Sequence, residues 1–133
     1  MLLTAILVLV AFLHRGIEVT ELDVDDGGIW VAKGADLSLG HLNYDALTFD
    51  GFVSTPSAQV ALGQDGRTVT IGDETTHSVA SVDVAAMKLG GASTVPEGSR
   101  VVQGASTIAV LDSLAGYLWV GEANRPDAIK YED

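Results

Sequence analysis

Four acids stand close together, Glu21, Asp23, Asp25 and Asp26, followed by Gly27-Gly28. Calcium takes roughly six to eight oxygen ligands, and carboxylates at alternate loop positions can supply several of them. The spacing departs from the EF-hand loop, which needs a further acid or amide and a distal Glu. Asp23, Asp25 and Asp26 are thus a calcium candidate, second to the favoured reading of a solvated loop in which Asp sets the turn before a strand. His14, His41 and His77 are the three imidazoles. None stands at the i, i+2 or i, i+4 spacing that a strand or helix metal site would use. His41 falls inside "LGHLN", where a hydrogen-bonded or half-exposed strand histidine is the ordinary occupant. His77 lies near Asp73, Glu74 and Ser78 in "GDETTHS", without a nucleophile elbow or an independent orienting acid. "VPEGSR" lacks the Gly-Lys-Ser/Thr of a phosphate loop. No catalytic residue, cofactor site or firm metal site is assigned, and no enzymatic role is expected. Trp30 and Trp119 each sit within an apolar run, "GIWVA" and "YLWVG", and are expected to fill space between packed sheets.

Composition narrows the partners. Acidic residues number 18 against 7 basic ones, a net charge of −11, and the basic residues are scattered singly. Nucleic acid, which needs clustered Lys and Arg, is not an expected partner. The chain has no cysteine, which removes disulfides, thiol catalysis and Cys-based zinc sites together. With 133 residues, 47% of them apolar, there is room for one packed domain.

The elements that would position any site begin after an apolar leader. "MLLTAILVLVAFLHRG" opens with thirteen residues free of charge and meets its first basic residue at Arg15. As a helix those thirteen span about 20 Å, short of a ~30 Å hydrocarbon core. Basic residues before the run and a small-residue cleavage site, both expected of a secretory signal, are missing. Residues 1–16 are read as the tail of a membrane anchor whose upstream half precedes Met1. An uncleaved anchor as written and a buried core segment are the alternatives. The anchor reading places residues 17–133 on the outer side of a membrane.

From Ile17 onward the period is that of strands. "IEVTELDV" (17–24) alternates, and ten further short segments follow: 28–32, 39–43, 47–53, 58–62, 67–71, 78–84, 87–92, 100–104, 106–111 and 116–121. Gly, Asp, Asn, Ser or Pro bounds each one, as tight turns require. "VAAM" (84–87) is the one candidate helical turn besides the leader. A shift of 40 lays Ile29–Val31 over Val69–Ile71, and a further 39 carries Val69 and Ile71 onto Ile108 and Val110. Four short strands in a period near 40 mark β-propeller blades. The fold class is all-β: about two and a half to three four-stranded antiparallel blades after the hydrophobic segment, with a β-sandwich as the alternative. The Asp65-Gly66 turn is placed between one unit and the next. Trp30, Val69/Ile71 and Ile108/Val110 are read as equivalent inner-strand positions.

"GGIWVAKG", "LGHLNY", "ALGQDG" and "TVTIGD" resemble blades of YVTN-type propellers. With the apolar leader and "ELDVDDGG", residues 5–125 more closely resemble the N-terminal region of actinobacterial membrane-anchored propeller proteins that carry C-terminal fibronectin type III domains. That resemblance implies an extracytoplasmic, non-catalytic role. The chain departs from the pattern in lacking further blades and a fibronectin-like segment. Residues 17–133 hold fewer than three blades, whereas closed propellers use at least about four. The chain is therefore expected to be part of a longer one or to assemble with others. The expected function is a membrane-anchored module for protein–protein interaction or surface scaffolding. The alternative is a fragment of a propeller lyase or hydrolase whose catalytic residues lie outside this chain.

Overall fold

The computed structural model describes residues 28–131. The leader 1–16, the segment 17–24 and the acids Glu21, Asp23, Asp25 and Asp26 lie outside the described residues, as does His14. Ten strands follow one another: β1 Gly28–Lys33, β2 Ser38–Asn43, β3 Thr48–Ser54, β4 Val60–Asp65, β5 Thr68–Asp73, β6 Ser78–Asp83, β7 Lys88–Thr94, β8 Arg100–Gly104, β9 Thr107–Asp112 and β10 Tyr117–Glu122. Each of the ten segments expected from residue 28 onward overlaps one of them, with bounds that differ by up to three residues. Three antiparallel sheets of consecutive strands result: β1-β2-β3, β4-β5-β6-β7 and β8-β9-β10. This is a blade-like, all-β repeat. A sandwich would pass strands back and forth between two sheets.

The repeat is metric. Strand starts at 28, 38 and 48 recur at 68, 78 and 88, a shift of 40; 68 and 78 recur at 107 and 117, a shift of 39. Even the register irregularity repeats, between His41 and Leu42 in the first sheet and between Ala80 and Val82 in the second. The tight turns share one chemistry. Asn43 Oδ1 accepts from the Ala46 N–H, Asp83 Oδ1 from Ala86, Asp112 Oδ1 from Leu114 and Ala115, and Asp73 Oδ1 from Thr75 and Thr76. Each is an Asx turn that lets a side chain start the reversal. Four residues after each acid or amide the backbone turns left-handed, at Leu47, His77, Met87 and Gly116. "VAAM" is such a turn rather than a helical one.

Two expectations are corrected. Asp65-Gly66 does not separate units: Asp65 ends β4, and Gly66, at φ +52°, opens the two-residue Gly66-Arg67 hairpin that joins β4 to β5 within one sheet. The sheets are instead separated by the loops at 55–59 and 95–99, each with a proline, Pro56 and Pro96, near its start. In these loops the Thr55 N–H donates to the Leu37 carbonyl and the Val95 N–H to that of His77, again 40 residues apart. Trp30 is not equivalent to Val69 and Ile71 either. Strand alternation gives β1 two faces. Ile29 and Val31 are the equivalents of Val69 and Ile71, while Trp30 points the other way and meets them across the interface.

Two cores result. Trp30, Leu39 and Val53 of the first sheet pack on Val69, Ile71, Ala80 and Val82 of the second. Val79 of the second sheet and Val95 beyond it pack on Ile108 and Val110 of the third, with Ala123. The two central strands of the middle sheet are therefore buried on both faces, with nine of the twelve residues of β5 and β6 buried, while β4 and β7 at its edges stay largely accessible. The outer sheets alternate buried and exposed, as one-sided sheets do.

Candidate functional site

The reverse faces of the two outer sheets are apolar. In the first sheet the register sets Ile29 opposite Leu42 and Leu42 opposite Phe49, and Val31 opposite Gly40 and Gly40 opposite Phe52. Ile29 is 46% exposed and Val31 37%. Phe49 and Phe52 stack with centroids 5.8 Å apart, and both rings lie over Gly40, where a Cβ would stand 2.7 Å from Phe49. Glycine is what allows that aromatic cover. Lys33 Nζ lies 5.7 Å from the Phe52 centroid and 2.6 Å from Asp36. In the third sheet, Leu118 opposes Leu111 and Val120 opposes Ala109, with Val102 beyond. Leu118 and Val120 are 61% and 60% exposed. A contiguous exposed apolar face of this kind marks an interaction site or an aggregation hazard.

Besides the two cores, a pair of glutamines that sequence reasoning missed joins sheet to sheet. Gln64 Oε1 accepts from the Trp30 N–H at 2.9 Å, and Nε2 donates to the carbonyls of Gly28 at 2.8 Å and Gly66 at 3.3 Å. Gln103 Oε1 accepts from Thr70 Oγ1 at 2.7 Å, and Nε2 donates to the carbonyls of Thr68 at 2.9 Å and Ala105 at 3.0 Å. Each clasps the strand of the preceding sheet to its own hairpin. Close approach at the second clasp needs Gly63, where a Cβ would meet the Gln103 side chain at 2.8 Å. The available signal was a Gln recurring at a shift of 39, two residues before the hairpin's left-handed residue.

A cleft of about 720 Å³ opens between the second and third sheets, lined among others by Asp73, His77, Glu97, Ser99, Arg100 and Val101. Asp73 is 3% exposed. Burial pushes its carboxyl up, but the Thr76 N–H, the Ser57 hydroxyl, the Thr75 N–H and the Thr76 hydroxyl outweigh that and hold it below the usual carboxylate range. Its Oδ1 serves the turn and Ser57, while its Oδ2 is buried without a hydrogen-bond partner. His77 takes the left-handed position of the turn at φ +46°, and Ser78 Oγ pairs with Thr76 Oγ1 at 2.7 Å. No serine–histidine couple forms there.

His41 is buried under Trp30, ring centroids 5.1 Å apart, with its Nδ1 2.5 Å from Asp50 Oδ1. The imidazole lowers the Asp50 carboxyl, and Asn43 Nδ2 donates to its other oxygen at 3.4 Å. The pair pins β2 to β3. Trp30 is core at 4% exposure, whereas Trp119 is half-buried between Tyr117 and Tyr131. Among the described residues no cluster of three His, Cys, Asp or Glu could hold a metal, and no helix is long and apolar enough to cross a membrane.

No family model matches the chain, and no curated protein matches its sequence. Among solved structures the fold is similar to hydrazine synthase of Kuenenia stuttgartiensis, with a TM-score of 0.56 at 18% identity. The likeness covers 85% of this chain and 37% of that one, so the chain spans well under half the length of the protein it resembles. At this identity it speaks to the fold alone.

Proposed function

We propose that the chain is a non-catalytic β-repeat module that works by protein–protein association through its end faces, held at the outer surface of a membrane by residues 1–16. The observation that carries this reading is the contrast between sheets. Val69, Ile71 and Val79 of the middle sheet are at most 2% exposed, while their counterparts Ile29, Val31 and Leu118 at the ends are 37–61% exposed. A photo-reactive residue at Val31 or Val120 should give protein adducts in cells, and one on the exposed turn residue Glu74 should give none. Absence of adducts from both end faces would overturn the reading. The anchor is tested by fractionation: full-length chain should need detergent for extraction, and free solubility without cleavage would remove the membrane from the proposal.

A second reading is favoured by the extent of the likeness in fold, which takes in 85% of this chain but 37% of the other: these sheets would be a portion of a larger propeller enzyme. Under it the reacting groups lie beyond residues 28–131. Further 39- or 40-residue units in the same reading frame, carrying a nucleophile or metal set, would support it.

A further inference from the structure

We infer that the partner for the two end faces is a second copy of this chain, docked head to tail so that two copies close a ring of six sheets. The inference rests on association through the end faces and names what they associate with.

The repeat supplies the argument, because the internal interfaces are already copies of one another. At the first, Leu39 shares a core with Ile71; at the second, Val79 shares a core with Val110. Leu39, Val79 and Leu118 are equivalent by shifts of 40 and 39, as are Val31, Ile71 and Val110. The series continues with Leu118 of one copy against Val31 of the next. Likewise Trp30 and Val69 share the first core, and the same shifts pair Ala109 with Ile29 of a second copy. The outer face of the third sheet thus repeats positions that already serve as the donor side of an interface, and the outer face of the first repeats the acceptor side. Neither face is built to meet its own kind. A head-to-tail contact either closes or runs on as a filament. Propellers hold about four to eight blades; two copies of the three sheets among the described residues fall within that range, and three copies exceed it.

Charge sets the salt dependence. Each chain carries −11, while the two faces offer mainly Ile, Val, Leu and Phe, with Lys33 at the margin of the first and Arg100 and Glu122 at the margins of the third. Two such chains repel over a screening length of about 10 Å at 0.1 M salt, so added salt should favour the pair.

The chain has no cysteine, which makes cross-linking clean. Full-length Val31→Cys and Leu118→Cys variants, both at exposed positions, are treated with a short bis-maleimide. An equimolar mixture of the two should give a linked dimer, while each variant alone should not. The double variant should stop at two copies, and light scattering should show wild type at twice the monomer mass and Leu118→Glu shifted to monomer. Linkage of Val31→Cys to itself, a ladder beyond two copies, or wild type monomeric to its solubility limit would each overturn the inference. A monomer that still gives adducts to other proteins from Val31 or Val120 would leave the broader reading standing and remove only the second copy.

Discussion

Replacing Gln103 with alanine removes three hydrogen bonds at once. The carboxamide accepts from Thr70 Oγ1 and donates to the carbonyls of Thr68 and Ala105. A typical hydrogen bond contributes about 0.5–1.5 kcal/mol net, and a buried group left without its partner costs about 1–3 kcal/mol. Thr70 is 2% exposed, so its hydroxyl cannot turn to bulk water when Gln103 is cut back. The Ala105 carbonyl sits at an exposed hairpin and recovers solvent. One orphaned hydroxyl plus two weakened carbonyls puts the loss at roughly 2–4 kcal/mol. Urea unfolding followed by tryptophan fluorescence reads it. Thr70→Val in the Gln103→Ala background should restore part of the loss, a coupling of about 1 kcal/mol, because the orphan is then gone. Gln103→Glu should be at least as harmful as alanine, since a carboxylate would face two carbonyls. A Gln103→Ala change within about 0.5 kcal/mol of wild type would refute the clasp as a cohesive element.

Three further outcomes follow from the packing. Trp30→Ala should cost about 3–5 kcal/mol, as core aromatic deletions do, and Trp30 should resist a polar quencher that reaches Trp119 in part. Free quenching of both indoles would contradict the sheet register. Leu47 stands at φ +52° and is 75% exposed. Leu47→Asn should therefore raise stability by about 0.5–1 kcal/mol in thermal melting, because Asn tolerates the left-handed region that leucine enters at a cost. Asp73 has its folded pKa depressed. Its contribution is present above the unfolded value of about 3.9 and is lost as pH falls through the lower folded value. Asp73→Asn should flatten the acid limb of a urea-midpoint profile, and an unchanged limb would show that the carboxylate's turn bonds contribute little.

Strand content and period were legible because alternation and turn residues are local signals. The ten segments and the shifts of 40 and 39 needed only Ile29–Val31, Val69–Ile71 and Ile108–Val110 to be aligned. The boundary of a unit was not legible in the same way. A two-residue hairpin at Gly66-Arg67 and a five-residue loop between sheets both read as polar gaps, and only Pro56 and Pro96 distinguish the second kind. The facing of Trp30 was misread by one residue, which in a strand inverts the side of the sheet. The clasps went unseen because a glutamine reaching the backbone of a residue more than 30 positions away leaves no local pattern. The end faces were hidden for a related reason: Leu118 and Val79 look alike in sequence, and only the stacking order tells which one is covered.

Amide hydrogen exchange of the full chain, followed as a function of protein concentration, tests the central claim most directly. Exchange reports the free energy of local opening strand by strand. The account predicts that β5 and β6 exchange slowest at every concentration, and that β1, β3, β9 and β10 gain protection as concentration rises. Outer strands already as protected as β5 and β6 in dilute solution, with no dependence on concentration, would contradict it.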